Sequence, residues 1–247
     1  NGGGATLAGK ASENAPKLVI EYVPGAPELA NPSFEADGEK AASNGPLAIT
    51  GWTETVDGSY NNSELRPANS ASTTSMFGTS DPSDGEYSFF VRHGWNSTTT
   101  ITLTSDALGE IPAGDYTLSV DYKQHYAYDN TQNSNTKVSI ALVNGETTLG
   151  SETSPAAAGV AGSGDATYFN EAEWSTLTAT LALDEAIPAG AKVVITLDAR
   201  GQKRSDFFLD NVQFVKIPGV ELALLDLEKS LEAAADVKAK YVVGDEI

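Results

Sequence analysis

Apolar and polar residues alternate along much of the middle of this chain. Between residues 116 and 123, Tyr, Leu, Val and Tyr alternate with Thr, Ser, Asp and Lys, which is the period of a strand with one buried face. Residues 192–200 have the same pattern, and an Ile-Pro-Ala-Gly turn sequence precedes each segment, at 111–114 and 187–190. The same reasoning predicts six further strands: 86–93, 97–104, 136–144, 146–151, 175–183 and 206–216.

Many short strands at close spacing predict an all-β protein built as an antiparallel β-sandwich, rather than a parallel α/β sheet. No segment between residues 28 and 217 has a helical period. Two long stretches, 57–85 and 152–173, are predicted to be loops, and the first is dominated by Ser, Asn, Thr, Asp and Gly. Long loops in a compact β-domain are where function or mobility is expected.

The segments on either side of residues 27–217 have a different character. Residues 1–26 form a Gly- and Ala-rich arm with a β-prone run at 17–23, either an edge strand of the sandwich or the end of a preceding domain. Residues 218–247 have apolar positions at three- and four-residue spacing, which predicts a short helix. That helix either packs on the sandwich or begins a spacer module. The chain starts at Asn1 without a signal-peptide pattern, so we expect a mature or excised piece of a longer protein.

Charge and composition narrow the classes of partner. The chain has 34 acidic and 15 basic residues, a formal net charge of -19, which repels nucleic acid and favours divalent cations and neutral ligands. No apolar run approaches the roughly 20 residues that span a bilayer, so no membrane insertion is expected. The absence of Cys excludes disulfides and thiolate chemistry. Abundant Thr, Ser, Asn, Gly and Asp with few Lys suit an extracellular protein or one at a bacterial cell surface.

Motifs of known catalytic sites are absent from the sequence. There are two histidines, no Gly-x-Ser-x-Gly elbow and no His-Glu-x-x-His zinc motif. No pair of acidic residues is singled out as the two carboxylates of a glycosidase. Polysaccharide lyases on β-sandwiches use His, Tyr, Arg and Gln, and the segment 124–126 with Arg92 and His93 supplies these types. The sequence predicts a non-catalytic protein, with a lyase or glycosidase as the alternative.

Three short segments carry a resemblance to a known fold family: N-P-S-F-E at 31–35, G-W-T at 51–53 and F-L-D-N-V-Q-F at 208–214. In this order they resemble the first and last strands of carbohydrate-binding modules with a galactose-binding-like jelly roll, particularly families 4, 9 and 22. The resemblance covers residues 27–217. It implies a jelly-roll sandwich that binds glycans.

The resemblance also implies a structural calcium ion. In such modules a Glu after the opening N-x-S-F and an Asp before N-V share the ion, and Glu35 and Asp210 occupy these places. Main-chain oxygens near Asn31 and from the loop at 84–86 would complete the oxygen ligands that calcium prefers. The alternative is a turn-capping Glu35 and a hydrogen-bonded Asp210 with no ion.

Sugar binding requires exposed aromatic rings that stack on pyranose faces, with polar side chains beside them. Trp52 and Trp174 resemble framework tryptophans, whereas Trp95 lies among polar residues at a predicted turn. The predicted ligand-binding residues are Trp95, Tyr126, Tyr128, His125, Arg92 and Tyr60.

Together these observations predict a monomeric, non-catalytic module that binds a polysaccharide or oligosaccharide and is linked in cis to other domains. Its role would be to hold an attached enzyme near its glycan substrate. The alternative from another class is a structural spacer or adhesion sandwich without affinity for glycans.

Overall fold

The computed structural model describes residues 25–58, 61–67, 81–93, 99–126, 137–155, 173–198 and 205–218. Within them a single-turn 3-10 helix, Glu35–Asp37, is followed by twelve strands. In chain order the strands are β1 (Lys40–Ser43), β2 (Ala48–Ile49), β3 (Trp52–Asp57), β4 (Asn61–Pro67), β5 (Tyr87–His93), β6 (Thr100–Ser105), β7 (Gly114–Tyr126), β8 (Lys137–Asn144), β9 (Thr147–Thr153), β10 (Ser175–Leu183), β11 (Lys192–Asp198) and β12 (Ser205–Lys216).

The strands form two six-stranded sheets that share one core. The front sheet has the order β1-β4-β5-β12-β7-β10, and the back sheet has the order β2-β3-β6-β11-β8-β9. Every neighbouring pair is antiparallel. The predicted antiparallel β-sandwich is therefore confirmed.

Apolar side chains from the inner faces of the two sheets fill the core. The alternation read from the sequence holds in detail, since Leu118 and Val120 of β7 and Ile195 of β11 are completely buried. At one end of the core the ring of Phe34 lies 5.8 Å from that of Trp52. Burial of Trp52 confirms the expectation that it belongs to the framework.

The two Ile-Pro-Ala-Gly segments meet in space. Ile111 and Ile187 each donate the backbone N–H to the other's carbonyl oxygen, at 2.9 and 2.8 Å. Along the chain, one segment leads into β7 of the front sheet and the other leads into β11 of the back sheet. Their pairing thus joins the segments that lead into β7 and β11, which belong to different sheets.

The predicted loop at 57–85 is wrong in its first part, because residues 61–67 form β4 between β1 and β5. The sequence of β4 is polar, and only Ser63 and Leu65 face the core. The inward neighbour of Ser63 is itself polar, namely Glu54 of β3. A strand whose buried face carries a hydroxyl group has no apolar alternation from which it can be predicted.

Several sequence predictions lie outside the described residues. These are the arm at 1–24, the helix expected from 219 onward and most of the predicted loop at 152–173. In the part of the chain that the structure describes, no helix is long and apolar enough to cross a membrane.

Candidate functional site

Glu35, a predicted calcium ligand, opens the 3-10 helix and reaches the loop 83–87. Its Oε1 accepts the backbone N–H groups of Glu86 and Tyr87 at 2.9 and 2.8 Å. Gly85 passes beside the same carboxylate with a φ of 67°, and a Cβ there would collide with the Glu35 side chain. Both its conformation and its surroundings therefore require glycine at this position.

Asp210, the second predicted ligand, holds the other end of that loop. Its Oδ2 accepts the N–H groups of Ser83 and Asp84 at 2.7 and 3.0 Å, and its Oδ1 accepts that of Asn211 at 2.8 Å. The residue is completely buried. Burial raises the pKa of Asp210 to about 7, although these hydrogen bonds oppose the shift. A cation beside the carboxylate would restore its charged form at neutral pH.

Asn31, the third predicted ligand, organises the turn that leads to Glu35. Its Oδ1 accepts the N–H of Ala36 at 3.0 Å, and its Nδ2 donates to the carbonyl oxygen of Thr50 at 2.9 Å. Its own carbonyl oxygen accepts the indole N–H of Trp52 at 3.0 Å. The side chain of Asn31 is thus engaged within the protein, where it holds the 3-10 helix through the N–H of Ala36.

Unusual backbone angles surround these residues. Among the described residues, four other than glycine have positive φ, and three of them are Asn31 (48°), Phe34 (60°) and Asn211 (48°). Such conformations are costly and tend to occur at functional sites. The N–H of Val212 donates to the carbonyl oxygen of Pro32 at 2.9 Å, which ties the last strand to the opening turn. We call Glu35, loop 83–87 and Asp210 the acidic clamp.

The carboxyl groups of the acidic clamp already accept hydrogen bonds from the protein. They come from Glu35, Asp84 and Asp210, and Ser33 Oγ donates to Asp84 Oδ2 at 2.7 Å. In the described part of the chain, no three His, Asp or Glu side chains are grouped as metal ligands. Calcium also binds main-chain carbonyl oxygens, so an ion at the acidic clamp would need carbonyl ligands from the adjoining turn and loop.

A second candidate surface lies on the outer face of the front sheet. Cross-strand register places Glu64, Phe90, Phe208 and Lys123 in one row across β4, β5, β12 and β7. The rings of Phe90 and Phe208 lie 4.7 Å apart, and each residue is 1% exposed. An outward sheet face normally carries polar residues, so two buried aromatic rings there indicate a specialised surface.

Two guanidinium groups stack on these rings. The Cζ atom of Arg66 lies 4.7 Å from the ring centroid of Phe90, and that of Arg92 lies 6.0 Å from it. Arg66 Nε also lies 3.4 Å from Glu64 Oε2. Both guanidinium groups thus lie within cation–π distance of the Phe90 ring, and both arginines are buried, at 3% and 8% exposure.

Trp174 and Lys123 extend this surface towards β10. Trp174 is half-buried, meets Phe208 edge to face at 6.3 Å, and donates its indole N–H to the carbonyl oxygen of Asp81 at 3.0 Å. Lys123 Nζ lies 4.9 Å from the Trp174 ring centroid. Burial lowers the pKa of Lys123, and the charges of Glu173 and Asp81 oppose this. The aromatic–cation layer is defined by six residues: Arg66, Phe90, Arg92, Lys123, Trp174 and Phe208.

Two of the predicted sugar-binding residues fall at or beside this layer. Arg92 belongs to it, and His125 occupies a position on β7 paired with Asp206, which in turn pairs with Arg92. Tyr126 ends β7 opposite Ser205. The predicted residues outside the described part of the chain are Trp95, Tyr128 and Tyr60.

Sequence reasoning missed most of the layer. Trp174 precedes β10 as expected, but it packs on the outer face of the front sheet and not in the sandwich core. The overlooked signal is a pair of consecutive phenylalanines on each of two strands, at 89–90 and 207–208. Because successive side chains on a strand point to opposite faces, one ring of each pair must leave the core.

No family model matches the chain, and no curated protein matches it significantly. Among solved structures, the chain is similar to the Stig cyclase Fisc from Fischerella sp. TAU, at 17% identity and a TM-score of 0.49 over 78% of this chain and 98% of that chain. It is also similar to the carbohydrate-binding module TmCBM61 in complex with β-1,4-galactotriose, at 12% identity and a TM-score of 0.39 over 76% and 96%. A CBM4 structure follows at 14% identity and 0.38 over 68% and 96%. All three TM-scores are below 0.5.

Proposed function

We propose that the chain is a non-catalytic glycan-binding module whose ligand lies along the outer face of the front sheet. The observation that carries this proposal is the aromatic–cation layer, which sets rings and oriented donors side by side on one sheet face. Sugars present apolar C–H faces to aromatic rings and hydroxyl groups to planar donors. Trp174 is the half-buried ring of the layer, and the five buried members pack around and beneath it.

Trp174 and Arg92 are the proposed ligand contacts among the described residues. Trp174 keeps part of its ring accessible, while Phe208 and Lys123 hold its orientation. The Cζ atom of Arg92 lies 6.0 Å from the Phe90 ring centroid, and the guanidinium group would donate hydrogen bonds to hydroxyl groups of the ligand. We keep Trp95, Tyr126, Tyr128, Tyr60 and His125 as further proposed contacts.

We propose calcium as a structural cofactor of the acidic clamp. Glu35 and Asp210 would bind it with main-chain oxygens of the adjoining turn and loop, and the ion would supply positive charge beside the buried carboxylate. Asn31 would orient the turn through the contacts of its side chain. The clamp joins the opening turn to β12, which also carries Phe208, so its integrity supports the binding face.

In the organism the module would act outside the cell or at a bacterial cell surface, linked in cis to other domains. Binding would raise the local concentration of glycan around an attached enzyme.

A catalytic role is the second candidate, and one observation favours it. Cross-strand register places Arg92, Asp206 and His125 in one row on β5, β12 and β7. These are residue types that serve as acid, base and charge stabiliser in lyases and glycosidases.

A screen of the whole chain against immobilised neutral and acidic polysaccharides tests the proposal, with product analysis of each bound glycan. Binding without turnover supports the module. Turnover, lost on His125→Ala, would support the catalytic candidate. Binding to none of a broad panel of plant, algal and host glycans would contradict both and favour a structural spacer.

A further inference from the structure

The four edge strands of the sandwich differ in how well they are protected from pairing with another chain. β1 has four residues and starts with Lys40, and β2 has two residues. β9 contains Gly150 and Glu152, and its pairing with β8 shifts register. Short length, charge and irregularity are the usual means by which natural sheets block edge-to-edge association.

β10 has none of these three protections in its own sequence, and β9 of the back sheet approaches it at one point, where a Cβ on Gly150 would lie 3.6 Å from the Thr180 carbonyl oxygen. β10 runs for nine residues, Ser175–Leu183, without a charge, a proline or a glycine. Its register with β7 is uninterrupted from end to end, and no other strand pairs with β10 in the part of the chain that the structure describes. Its outward side chains are exposed, and its inward side chains belong to the core. A long, regular, uncharged edge is a template for another strand.

The sequence of β10 identifies the strand that fits it. Residues 177–181 read Leu-Thr-Ala-Thr-Leu, which is the same in both directions. When two such strands pair antiparallel about Ala179, Leu faces Leu on the core side and Thr faces Thr on the outer side. Each threonine pair brings together β-branched side chains that suit cross-strand contact. The edge is therefore complementary to itself.

We propose that the partner of this edge is a second copy of the chain, paired through β10 about a two-fold axis at Ala179. Thr178 of one copy lies opposite Thr180 of the second copy, and the reverse pair is equivalent. Such an interface uses the same patch on both subunits and closes without further growth. This proposal departs from the monomer expected from the sequence.

Pairing through β10 has a consequence for ligand binding. It joins the two front sheets edge to edge, so their outer faces become continuous. Trp174 precedes β10 by one residue, so antiparallel pairing about Ala179 separates the two Trp174 residues by about 33 Å along the strand direction, at ~3.3 Å per residue. Two layers on one surface would bind a polymer bivalently.

The direct test is sedimentation equilibrium of the whole chain over a wide concentration range. We expect a concentration-dependent dimer for the wild type. T178K/T180K places lysines opposite lysines across the axis and should raise the dimer dissociation constant at least ~10-fold. The matched control is T53K/T55K, which makes the same two changes at exposed positions of β3 in the back sheet and should leave the constant unchanged.

Charge complementation tests the register. T178K/T180K mixed with T178E/T180E should restore a heterodimer, because each introduced lysine of one copy then faces an introduced glutamate of the other, and restoration also demonstrates that both variants fold. A wild type that stays monomeric at every concentration, or a dimer that survives T178K/T180K, would overturn the proposal. Amide exchange in the wild type gives a reading without variants: protection of β10 should rise with protein concentration, and constant protection would contradict the interface.

Discussion

At the scale of single residues, Asp210 links charge to stability. Its pKa is about 7 in the folded protein against 3.8 for an ordinary Asp, because burial disfavours the carboxylate. Between these values the folded state holds a proton that the unfolded state has lost, so stability falls as pH rises from about 4 to 7. The fall is at most about 4 kcal/mol at ~1.4 kcal/mol per pH unit.

We predict that metal-free protein shows this decline and that calcium removes it, because an ion bound only by the folded state stabilises that state by mass action. Urea unfolding from pH 4 to 8, with and without calcium, measures both effects. Asp210→Asn should abolish the decline and the response to calcium. Identical pH profiles for wild type and Asp210→Asn, with no effect of calcium on either protein, would contradict the proposal that calcium binds beside Asp210.

A turn position can require glycine because its φ is positive or because there is no room for a side chain, and Gly85 allows these two reasons to be distinguished. We predict that Gly85→Ala destabilises the protein more than Gly145→Ala and alone weakens the response to calcium. Both residues have positive φ, 67° and 60°, but a Cβ at Gly145 meets nothing within 4 Å, whereas one at Gly85 collides with Glu35. The shared backbone cost is about 1 kcal/mol. Thermal melts of both variants measure the difference, and equal losses would show that loop 83–87 yields to the added methyl group.

At the scale of elements, β4 is joined to the back sheet by a polar contact inside the core. Glu54 of β3 is 5% exposed and accepts hydrogen bonds from Ser63 Oγ and the N–H of Leu47, both at 2.5 Å. Burial raises the pKa of Glu54, while these two hydrogen bonds oppose the shift. The link therefore matters most when the carboxyl group is ionised.

Ser63→Ala should cost about 1–3 kcal/mol, because the Glu54 carboxyl group loses one of its two hydrogen-bond donors in the core. The loss should be larger at pH 8 than at pH 4, since the ionised form needs its donors more. Ser43→Ala on exposed β1 is the control and should stay within about 0.5 kcal/mol of the wild type. A Ser63→Ala variant as stable as that control at both pH values would show that the hydrogen bond between Ser63 and Glu54 does not stabilise the protein.

Elements with clean alternation could be predicted from the sequence, and those with polar inner faces could not. The sequence predicts β10 with its observed ends, and β7 and β11 within three residues, because the positions of these strands that face the sandwich core are all apolar. The sequence predicts a loop in place of β4, because Ser63 and Glu54 bond to each other across the core and this pairing is not visible in the sequence of either strand alone.

The two candidate surfaces also differ in how far they can be predicted from the sequence. The segments at 31–35 and 208–214 predict Glu35 and Asp210 as calcium ligands; the structure brings both residues to one loop, and the ion stays a prediction. The aromatic–cation layer depends on register between β4, β5, β12 and β7, which sets Phe90 beside Phe208 although they are far apart in sequence. Register between distant strands is set by the tertiary fold and cannot be derived from the sequence. The consecutive phenylalanines at 89–90 and 207–208 were therefore the available signal for the layer.

At the scale of the whole molecule, the distribution of charge singles out the front sheet. The chain carries a net charge of -19 and has four arginines. The two within the described residues, Arg66 and Arg92, both lie on the outer face of the front sheet and stack on Phe90. The described part of this acidic protein therefore places both of its arginines over one aromatic ring, on the face where we propose that glycan binds.

The central claim is that this face binds glycan, and calorimetric titration of Trp174→Ala tests it most directly. With a glycan that the wild type binds, loss of the stacking ring should weaken affinity about ten-fold or more, by analogy with the ~1–3 kcal/mol of base stacking. Thr55→Ala, on the outer face of the back sheet, should bind like the wild type. A Trp174→Ala variant that is folded by its melting curve and keeps full affinity would contradict the claim.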